Sequence, residues 1–249
     1  MKKYIPLIIA SLVATPVFAD EADNASSPFT KILASQTTSS SKTDASATSK
    51  NKPVTSNVIV KVDDCNTIDS CKIVSTTTAG VLKIINTRPF SNQSVNDILK
   101  LVLPNFDFEL MTRLAVGNGW SSATDEQKAK LVSAFKDLLT YTYSAAVFKF
   151  KGSQIIIVSA SNDSDKKSAV VTKVTLPNST NNQQVTVEYD LANTKKTGNT
   201  WKTYDIKIEN ASLVTTYRNQ FSEIVDSDGI DGLITQLQTK VNNLKQAKN

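Results

Sequence analysis

The fold is decided by residues 185–208, which read VTVEYDLANTKKTGNTWKTYDIKI. Apolar and polar side chains alternate on both sides of the turn-forming Gly198-Asn199 pair. The apolar members are Val185, Val187, Tyr189, Leu191, Tyr204, Ile206 and Ile208. A period of two residues predicts strands with one buried face and one wet face. Turn residues between two such strands predict an antiparallel hairpin.

Two similar runs precede this hairpin, so four strands are predicted in all. Their ranges are 153–160, 167–176, 183–191 and 200–209, and hairpin residues separate each from the next. Consecutive strands joined by hairpins form an antiparallel meander. Helical patterns lie before and after the strands. The sequence therefore predicts an α+β fold, a four-stranded meander sheet with helices packed on one face and room for an apolar cavity between the two.

The helical patterns have clear ends. Residues 91–103 are predicted to be helical up to Pro104, and residues 106–116 form a second short helix. Thr124 and Gln127 have the spacing of a capping box, and the apolar stripe beyond them predicts a helix of about 25 residues that reaches Phe150. Two further helices, 211–226 and 230–247, are expected on either side of Asp228-Gly229.

The chain begins with the features of a secretory signal peptide. Lys2 and Lys3 precede the apolar run 5–13, and Val17-Phe18-Ala19 places small residues before a cleavage point at Asp20. A membrane anchor is the weaker alternative, because a membrane span needs about 20 apolar residues. Residues 1–19 are therefore predicted to be removed, and the mature chain is predicted to be exported and soluble.

The next segment has the composition of a flexible tether. Residues 35–49 are dominated by Ser and Thr and contain no large apolar side chain, so they cannot bury enough surface to offset the entropy of ordering. We expect a tether over 20–75, with a short strand near Val58 to Val62, and a folded domain over 76–249. Whether the tether is a functional spacer or a tolerated insertion is left open.

Cys65 and Cys71 are the only cysteines of the chain. Two near neighbours in an oxidising compartment predict a local disulfide. So small a ring is expected to pin a turn rather than to hold the domain together. Two thiolates without histidine do not complete a zinc site, so no metal is expected.

The composition excludes most familiar enzyme chemistry. The chain has no histidine, so histidine-dependent triads, zinc sites and proton shuttles are ruled out. The fragments Ser133-Ala134-Phe135-Lys136 and Lys196-Thr197-Gly198 match serine-enzyme motifs, but they lie in the wrong structural context. The net charge of +5 comes from scattered lysines, which argues against a nucleic-acid partner. We expect a protein that is not an enzyme.

Several separated motifs resemble those of the MlaC family, also called the toluene-tolerance auxiliary family. The first is 106–117, FDFELMTRLAVG, followed by Trp120, by the helix start at 123–127 and by 135–143. In the second half, 201–206, 212–218 and 229–233 stand in the family's order. The resemblance covers about 76–246, and residues 20–75 have no counterpart in it.

The resemblance implies a periplasmic phospholipid carrier. Such a protein shuttles lipid between an outer-membrane lipoprotein–porin complex and the substrate-capture subunit of an inner-membrane ABC transporter. It needs no cofactor, because the phospholipid is cargo. The alternative from another class is an envelope interaction module with a solid core, in which the tether presents the Cys65–Cys71 turn to a partner.

A carrier must enclose both acyl tails, so apolar stripes become candidate cavity walls. Periodicity does not separate a cavity wall from an ordinary core, and both interpretations are kept open for each residue. The candidate lipid-binding residues are Met111, Leu114, Leu139, Tyr143, Val147, Val187, Tyr189, Tyr204, Ile206, Val214 and Tyr217. Arg218 is a candidate for the headgroup or the mouth, as a donor to phosphate, with a solvated or structurally paired arginine as the alternative.

Overall fold

The computed structural model describes residues 58–60, 65, 67–175 and 184–246. They contain one six-stranded sheet whose strands are neighbours in chain order. The strands are β1 (Val58–Val60), β2 (Gln154–Ser164), β3 (Lys167–Thr175), β4 (Gln184–Asn193), β5 (Trp201–Ile208) and β6 (Ala211–Ser212). Strands β2 to β6 are antiparallel, and β1 runs parallel to β2. The predicted signal peptide and Ser/Thr-rich stretch lie outside the described residues.

The α+β class and the four meander strands are confirmed, but a sheet of only four strands is wrong. Strand β1 falls within the weak pattern near Val58 to Val62, and β6 pairs Ala211 and Ser212 with the end of β5. Strands of three and two residues are too short to produce a recognisable alternation. Both lie at the edges of the sheet, where one neighbour is enough to define them.

Six helices accompany the sheet in the described part of the chain. They are α1 (Asp69–Thr87), α2 (Asn92–Val102), α3 (Phe108–Val116), α4 (Gly119–Ser122), α5 (Asp125–Tyr143) and α6 (Leu213–Gln246). Helix α6 is interrupted at Gly229, whose φ of 71° lies in the left-handed region, as the predicted break requires. None of these helices is long and apolar enough to cross a membrane.

Side-chain caps fix the helix starts that the sequence predicts. The Thr124 hydroxyl accepts a hydrogen bond from the Gln127 amide, and the Gln127 side chain accepts one from the Thr124 amide in return. Ser91 and Ser94 form the same arrangement at the start of α2. Each cap satisfies amide groups that the first turn leaves without helical partners.

The predicted domain boundary at residue 76 is wrong, because it falls inside α1. The helix begins at Asp69 and buries Cys71, Val74, Leu82 and Ile85. Polar residues of the stretch 75–78 obscure this stripe in the sequence. The folded part of the chain therefore includes at least β1 and the start of α1.

The disulfide between Cys65 and Cys71 is present, with 4.9 Å between the two Cα atoms. Cys71 is fully buried and Cys65 nearly so, in one cluster with Val74, Ile157 and Val170. The disulfide therefore packs inside the core between α1 and the sheet. The expectation that it lies in a turn of the tether is wrong.

The helices form two groups rather than one layer on the sheet. Helix α1 packs across β1, β2, β3 and β5, whereas α3, α5 and α6 pack mainly on one another and reach the sheet through β5 and β6. The second group has an aromatic centre in which the Phe135 ring lies 4.9 Å from that of Tyr217 and 5.2 Å from that of Phe221. Edge-to-face contacts of this kind stabilise a close-packed core.

Helix α5 ends at Tyr143 and not at Phe150 as the apolar stripe predicts. A separate 3₁₀ helix covers 146–150 and redirects the chain. Its residues Val147, Phe148 and Phe150 pack against a cluster formed by α1, α2 and the sheet. The stripe is continuous in sequence, but its last members therefore serve a different part of the core.

Candidate functional site

The candidate site is built on the sheet face that α1 contacts, here called the inner face. The register places Val170, Tyr189 and Ile206 side by side on β3, β4 and β5. The adjacent row holds Thr172, Val187 and Ile208. Because side chains two residues apart share a face, these two rows form one apolar surface. The structure thus brings together the predicted residues Val187, Tyr189 and Ile206.

One part of the inner face, the closed half, is sealed by α1. Its sheet residues are Ile155, Ile157, Val170, Val174 and Leu191, all of them buried. Cys71 and Val74 of α1 cover one end of it, and Leu82 and Ile85 cover the other. The hydroxyls of Ser70 and Ser168 lie 2.6 Å apart and join the helix to β3. This part is an ordinary close-packed core.

The open half is the partly buried part of the inner face and consists of Val187, Tyr189, Ile206 and Ile208; Thr172 and Val185 on the same face are buried. The four side chains of the open half are only partly buried, although they follow directly on the closed half. Burial raises the pKa of Tyr189 to about 12, so this side chain lies deep in the protein and still retains accessible surface. Tyr189 packs against the cluster around Cys71, and Val187 packs against the cluster around Leu82, so both lie at the margin of the closed half.

Three predicted residues from the helical side also retain accessible surface. They are Leu114 on α3, Tyr143 at the end of α5 and Val147 in the 3₁₀ helix. Burial raises the pKa of the Tyr143 hydroxyl, so this tyrosine, like Tyr189, is deep and yet incompletely covered. These three residues are partly buried, as are the residues of the open half.

Four other predicted residues belong to the helical core. Met111, Leu139, Val214 and Tyr217 have at most 8% of their surface exposed. Tyr217 packs between Phe135 and Phe221, and burial together with the nearby Tyr143 raises its pKa well above the usual value. Periodicity alone left core and cavity wall open for each of them, and the structure places these four in the core.

Tyr204 is separated from Tyr189 and Ile206 by a β-bulge. Asp190 pairs with Asp205 and Leu191 pairs with Thr203, so Tyr204 is the extra residue of β5. Burial and the nearby charge of Asp190 raise the pKa of its hydroxyl. The simple alternation that groups Tyr204 with Ile206 is therefore interrupted, and Tyr204 lies in a charged environment.

The opposite face of β4 and β5 is fastened by an ion-pair network. The Lys207 Nζ lies 2.8 Å from both Glu188 Oε1 and Asp190 Oδ2. Burial alone would lower the pKa of Lys207, but the hydrogen bonds to both carboxylates outweigh it and raise that pKa. Burial raises the pKa of Asp190, while the hydrogen bond from Lys207 lowers that of Glu188. The network holds the two strands of the open half from behind.

Asp205 has a structural role that the alternating pattern does not predict. It pairs with Asp190 on the polar face of β5, as the alternation indicates, yet its side chain is only 6% exposed. One carboxylate oxygen accepts hydrogen bonds from the amides of Ile206 and Val214, and the other accepts one from the Ser212 hydroxyl at 2.5 Å. The carboxylate thereby caps the start of α6. It has no arrangement that suggests acid–base catalysis.

Arg218 is exposed on α6, and its guanidinium lies against Gly117 at the end of α3. A Cβ on Gly117 would come within 3.2 Å of the Arg218 Nε, and the φ of Gly117 is +63°. The arginine thus lies against a turn that only glycine adopts without strain. Among the residues described, no group of three acidic or thiol side chains forms a metal site.

Sequence reasoning missed α1 and the contribution of Phe148. Helix α1 had a signal, since Cys71, Val74, Leu82 and Ile85 recur at helical spacing. The predicted tether ends at residue 75, so it separates Cys71 and Val74 from the rest of this stripe.

A family model described as MlaC protein matches residues 75–239, which is more than half of the chain. The chain belongs to the MlaC family. The similarity suggested by the separated motifs is thereby confirmed, and in this MlaC protein the matched region begins inside α1.

A solved structure is similar to this MlaC protein over most of its length. It is a phospholipid-binding protein from Ralstonia solanacearum in complex with a phospholipid. The two chains are 28% identical, with a TM-score of 0.63. The match covers 72% of this chain and 99% of the other.

Proposed function

We propose that this MlaC protein binds a phospholipid against the open half and carries it through the periplasm. The observation that carries the proposal is the deep but incompletely covered apolar surface at Val187, Tyr189 and Ile206. The phospholipid held by the similar protein from Ralstonia solanacearum supports the same class of ligand. Tyr143, Val147 and Leu114 supply the candidate helical side of the binding space.

A phospholipid carrier must enclose a large apolar surface. The two acyl tails of a phospholipid hold about 30 methylene groups, and transfer of each from water is worth about 0.8 kcal/mol. About 24 kcal/mol of unfavourable hydration is therefore avoided only if the tails are enclosed almost completely. Apolar walls supply this energy without any proton transfer or covalent step, so the proposed activity is binding and release, not catalysis.

The proposed route connects the two membranes of the cell envelope. An outer-membrane lipoprotein–porin complex lies at one end, and the substrate-capture subunit of an inner-membrane ABC transporter lies at the other. Export through the predicted signal peptide at 1–19 and the Cys65–Cys71 disulfide are consistent with the oxidising periplasm.

Organic extraction of the purified protein tests the binding step. We expect phospholipid in near-stoichiometric amount in the wild type and its loss in Val187→Trp and Ile206→Trp, because the indole fills the space that the tails need. In a solid core the same changes would cost about 1–3 kcal/mol with no ligand to lose.

A matched control is Val171→Trp in β3. Val171 pairs with Glu188 and therefore lies on the opposite face of the same sheet. This variant should retain its lipid. An empty wild type with the full helical and strand signal would favour the solid interaction module instead. Retention of lipid by both inner-face variants would show that the ligand lies elsewhere.

A further inference from the structure

A second surface of the molecule is centred on Phe90. This side chain is 59% exposed, and the other exposed large hydrophobic side chain of the described chain is Val158, at 39%. The Phe90 ring meets the ring of Phe148 edge to face, with 5.1 Å between their centroids. An aromatic ring kept in water in this way indicates an interaction surface.

The backbone around Phe90 is well supported. Ser94 on α2 donates a hydrogen bond from its hydroxyl to the carbonyl of Pro89, at 2.9 Å. Gly152 donates its amide to the Asn86 side chain at 2.8 Å, which joins the end of α1 to the segment after the 3₁₀ helix. Phe90 is therefore presented on a supported turn between α1, α2 and the 3₁₀ helix.

The segments that meet at this ring are rich in cations. The segments 83–100 and 146–152, which meet at Phe90 and Phe148, hold five cations and one carboxylate. The cations are Lys83, Arg88, Lys100, Lys149 and Lys151. The carboxylate, Asp97, lies 2.6 Å from an Arg88 nitrogen and 3.8 Å from the Lys100 nitrogen. The side chains of Arg88 and Lys100 are 51% and 77% exposed, so most of the positive charge is available to a partner.

Three of the cations line one groove. Lys83, Arg88 and Lys100 lie with Asp97 around a depression of about 480 Å³ between α1 and α2. The two helices approach closely there, since a Cβ on Gly80 would come within 2.5 Å of the Leu101 side chain. Because Arg88 lies two residues before Phe90, this cationic groove adjoins the turn that presents the ring.

We propose that this Phe90 surface docks the protein onto an anionic phospholipid membrane. The aromatic ring would enter the interface at headgroup level, where aromatic side chains are favoured, while the cations approach lipid phosphates. An acidic protein partner fits less well, because lysine is depleted at protein–protein interfaces and four of the five cations are lysines.

This inference does not depend on the proposed cargo. It rests on exposed residues of α1, α2 and the 3₁₀ helix, whereas the cargo proposal rests on the open half. The two therefore fail separately, and lipid extraction from each surface variant measures cargo independently of docking.

Vesicle flotation of the full mature chain tests the docking surface. The probes are vesicles of pure phosphatidylcholine and vesicles of equal parts phosphatidylcholine and phosphatidylglycerol, at low salt. We expect the protein to float with the anionic vesicles only and to be released by high salt. Phe90→Ser should weaken binding about tenfold. Lys149→Gln combined with Lys151→Gln should weaken it about fivefold for each cation removed.

Matched controls are provided by residues of the sheet, outside the segments that form the Phe90 surface. Val158→Ser removes the other exposed hydrophobic side chain, and Lys167→Gln combined with Lys173→Gln removes two exposed cations of β3. Both controls should float like the wild type, and all variants should unfold at the wild-type urea midpoint and keep the same cargo.

Three results would overturn the proposal. The first is a wild type that stays unbound on anionic vesicles. The second is that Phe90→Ser and the Lys149 and Lys151 variant bind anionic vesicles as strongly as the wild type. Equal weakening of binding in the control variants would count in the same way. The third is binding only to envelope vesicles that still carry their proteins and loss of that binding after protease treatment, which would assign the surface to an acidic protein.

Discussion

The closed half and the open half of the inner face are built from the same kind of sequence, yet they are packed differently. Ile157 in the closed half is fully buried beneath α1, whereas Ile206 in the open half is only partly buried. Both lie on strands of one sheet, on the same face. The two residues differ in burial because α1 covers Ile157 and does not seal Ile206. The same pattern of alternation can therefore produce a close-packed core in one place and a candidate binding wall in another.

The largest expected effect comes from truncating one isoleucine in each half. Ile157→Ala should lower the free energy of unfolding by about 2–5 kcal/mol, since it leaves a cavity in a close-packed cluster. Ile206→Ala should cost about 1 kcal/mol or less, because less surface is buried there. Urea denaturation of lipid-free protein measures both. Equal losses would mean that the two halves are packed alike.

The disulfide tests how the closed half is held together. Replacing Cys65 and Cys71 together by Ala should cost about 2–4 kcal/mol, from the lost cross-link and from lost packing around Val74 and Ile157. Thermal and urea unfolding of the variant and the oxidised wild type give the comparison. A cost near zero would mean that the disulfide only pins a local turn.

Alkaline pH tests the open half through Tyr189. An unfolded tyrosine has a pKa of about 10, whereas that of Tyr189 in the folded chain is about 12. The folded state therefore retains the proton longer, and stability should be unaffected below pH 10 and fall by about 1 kcal/mol per pH unit towards pH 12.

Tyr189→Phe should reduce this alkaline decline without abolishing it. Tyr143, Tyr204 and Tyr217 also have raised pKa values and remain in the variant. Unfolding measured in steps between pH 9 and pH 12 provides the test. An unchanged slope in the variant would place Tyr189 in a more solvated position.

The smallest expected effect comes from deleting residues 20–56. Their composition offers no apolar core, so the melting temperature should change by no more than about 2 °C in the mature chain. Differential scanning calorimetry of the two chains measures it. Loss of cooperative unfolding would show that this segment contributes to one of the halves, and flotation and lipid content of the same variant would indicate which function it affects.

Local patterns predicted much of the fold correctly. The four meander strands are found within a few residues of their predicted ends, and the Thr124 capping box begins α5 as expected. Such features depend on neighbours in the chain, through alternation, hydrogen bonds of caps and turn chemistry. Helix α1 was missed for the converse reason, because polar residues at 75–78 outweigh its apolar stripe over a short window.

The candidate site was less accessible to prediction. Val187, Tyr189 and Ile206 were correctly placed on one face, but Tyr204 was grouped with them, although a bulge separates it. A bulge depends on the pairing of two strands and leaves little trace in either one. Met111 and Leu114 belong to the same predicted stripe, yet only Met111 is fully buried, because burial depends on the elements packed around α3.

By itself, the sequence determined the class of fold, the four meander strands, the capped start of α5, the disulfide and the resemblance to the MlaC family. Each of these features depends on residues that are close together in the chain or on motifs in a fixed order. Only the tertiary structure decided which apolar residues form a core and which form a wall. It also decided that two cationic segments, 83–100 and 146–152, meet at the contact between Phe90 and Phe148. The physical reason is the same in both cases: exposure and local charge depend on how distant segments pack together, and a one-dimensional pattern does not contain that information.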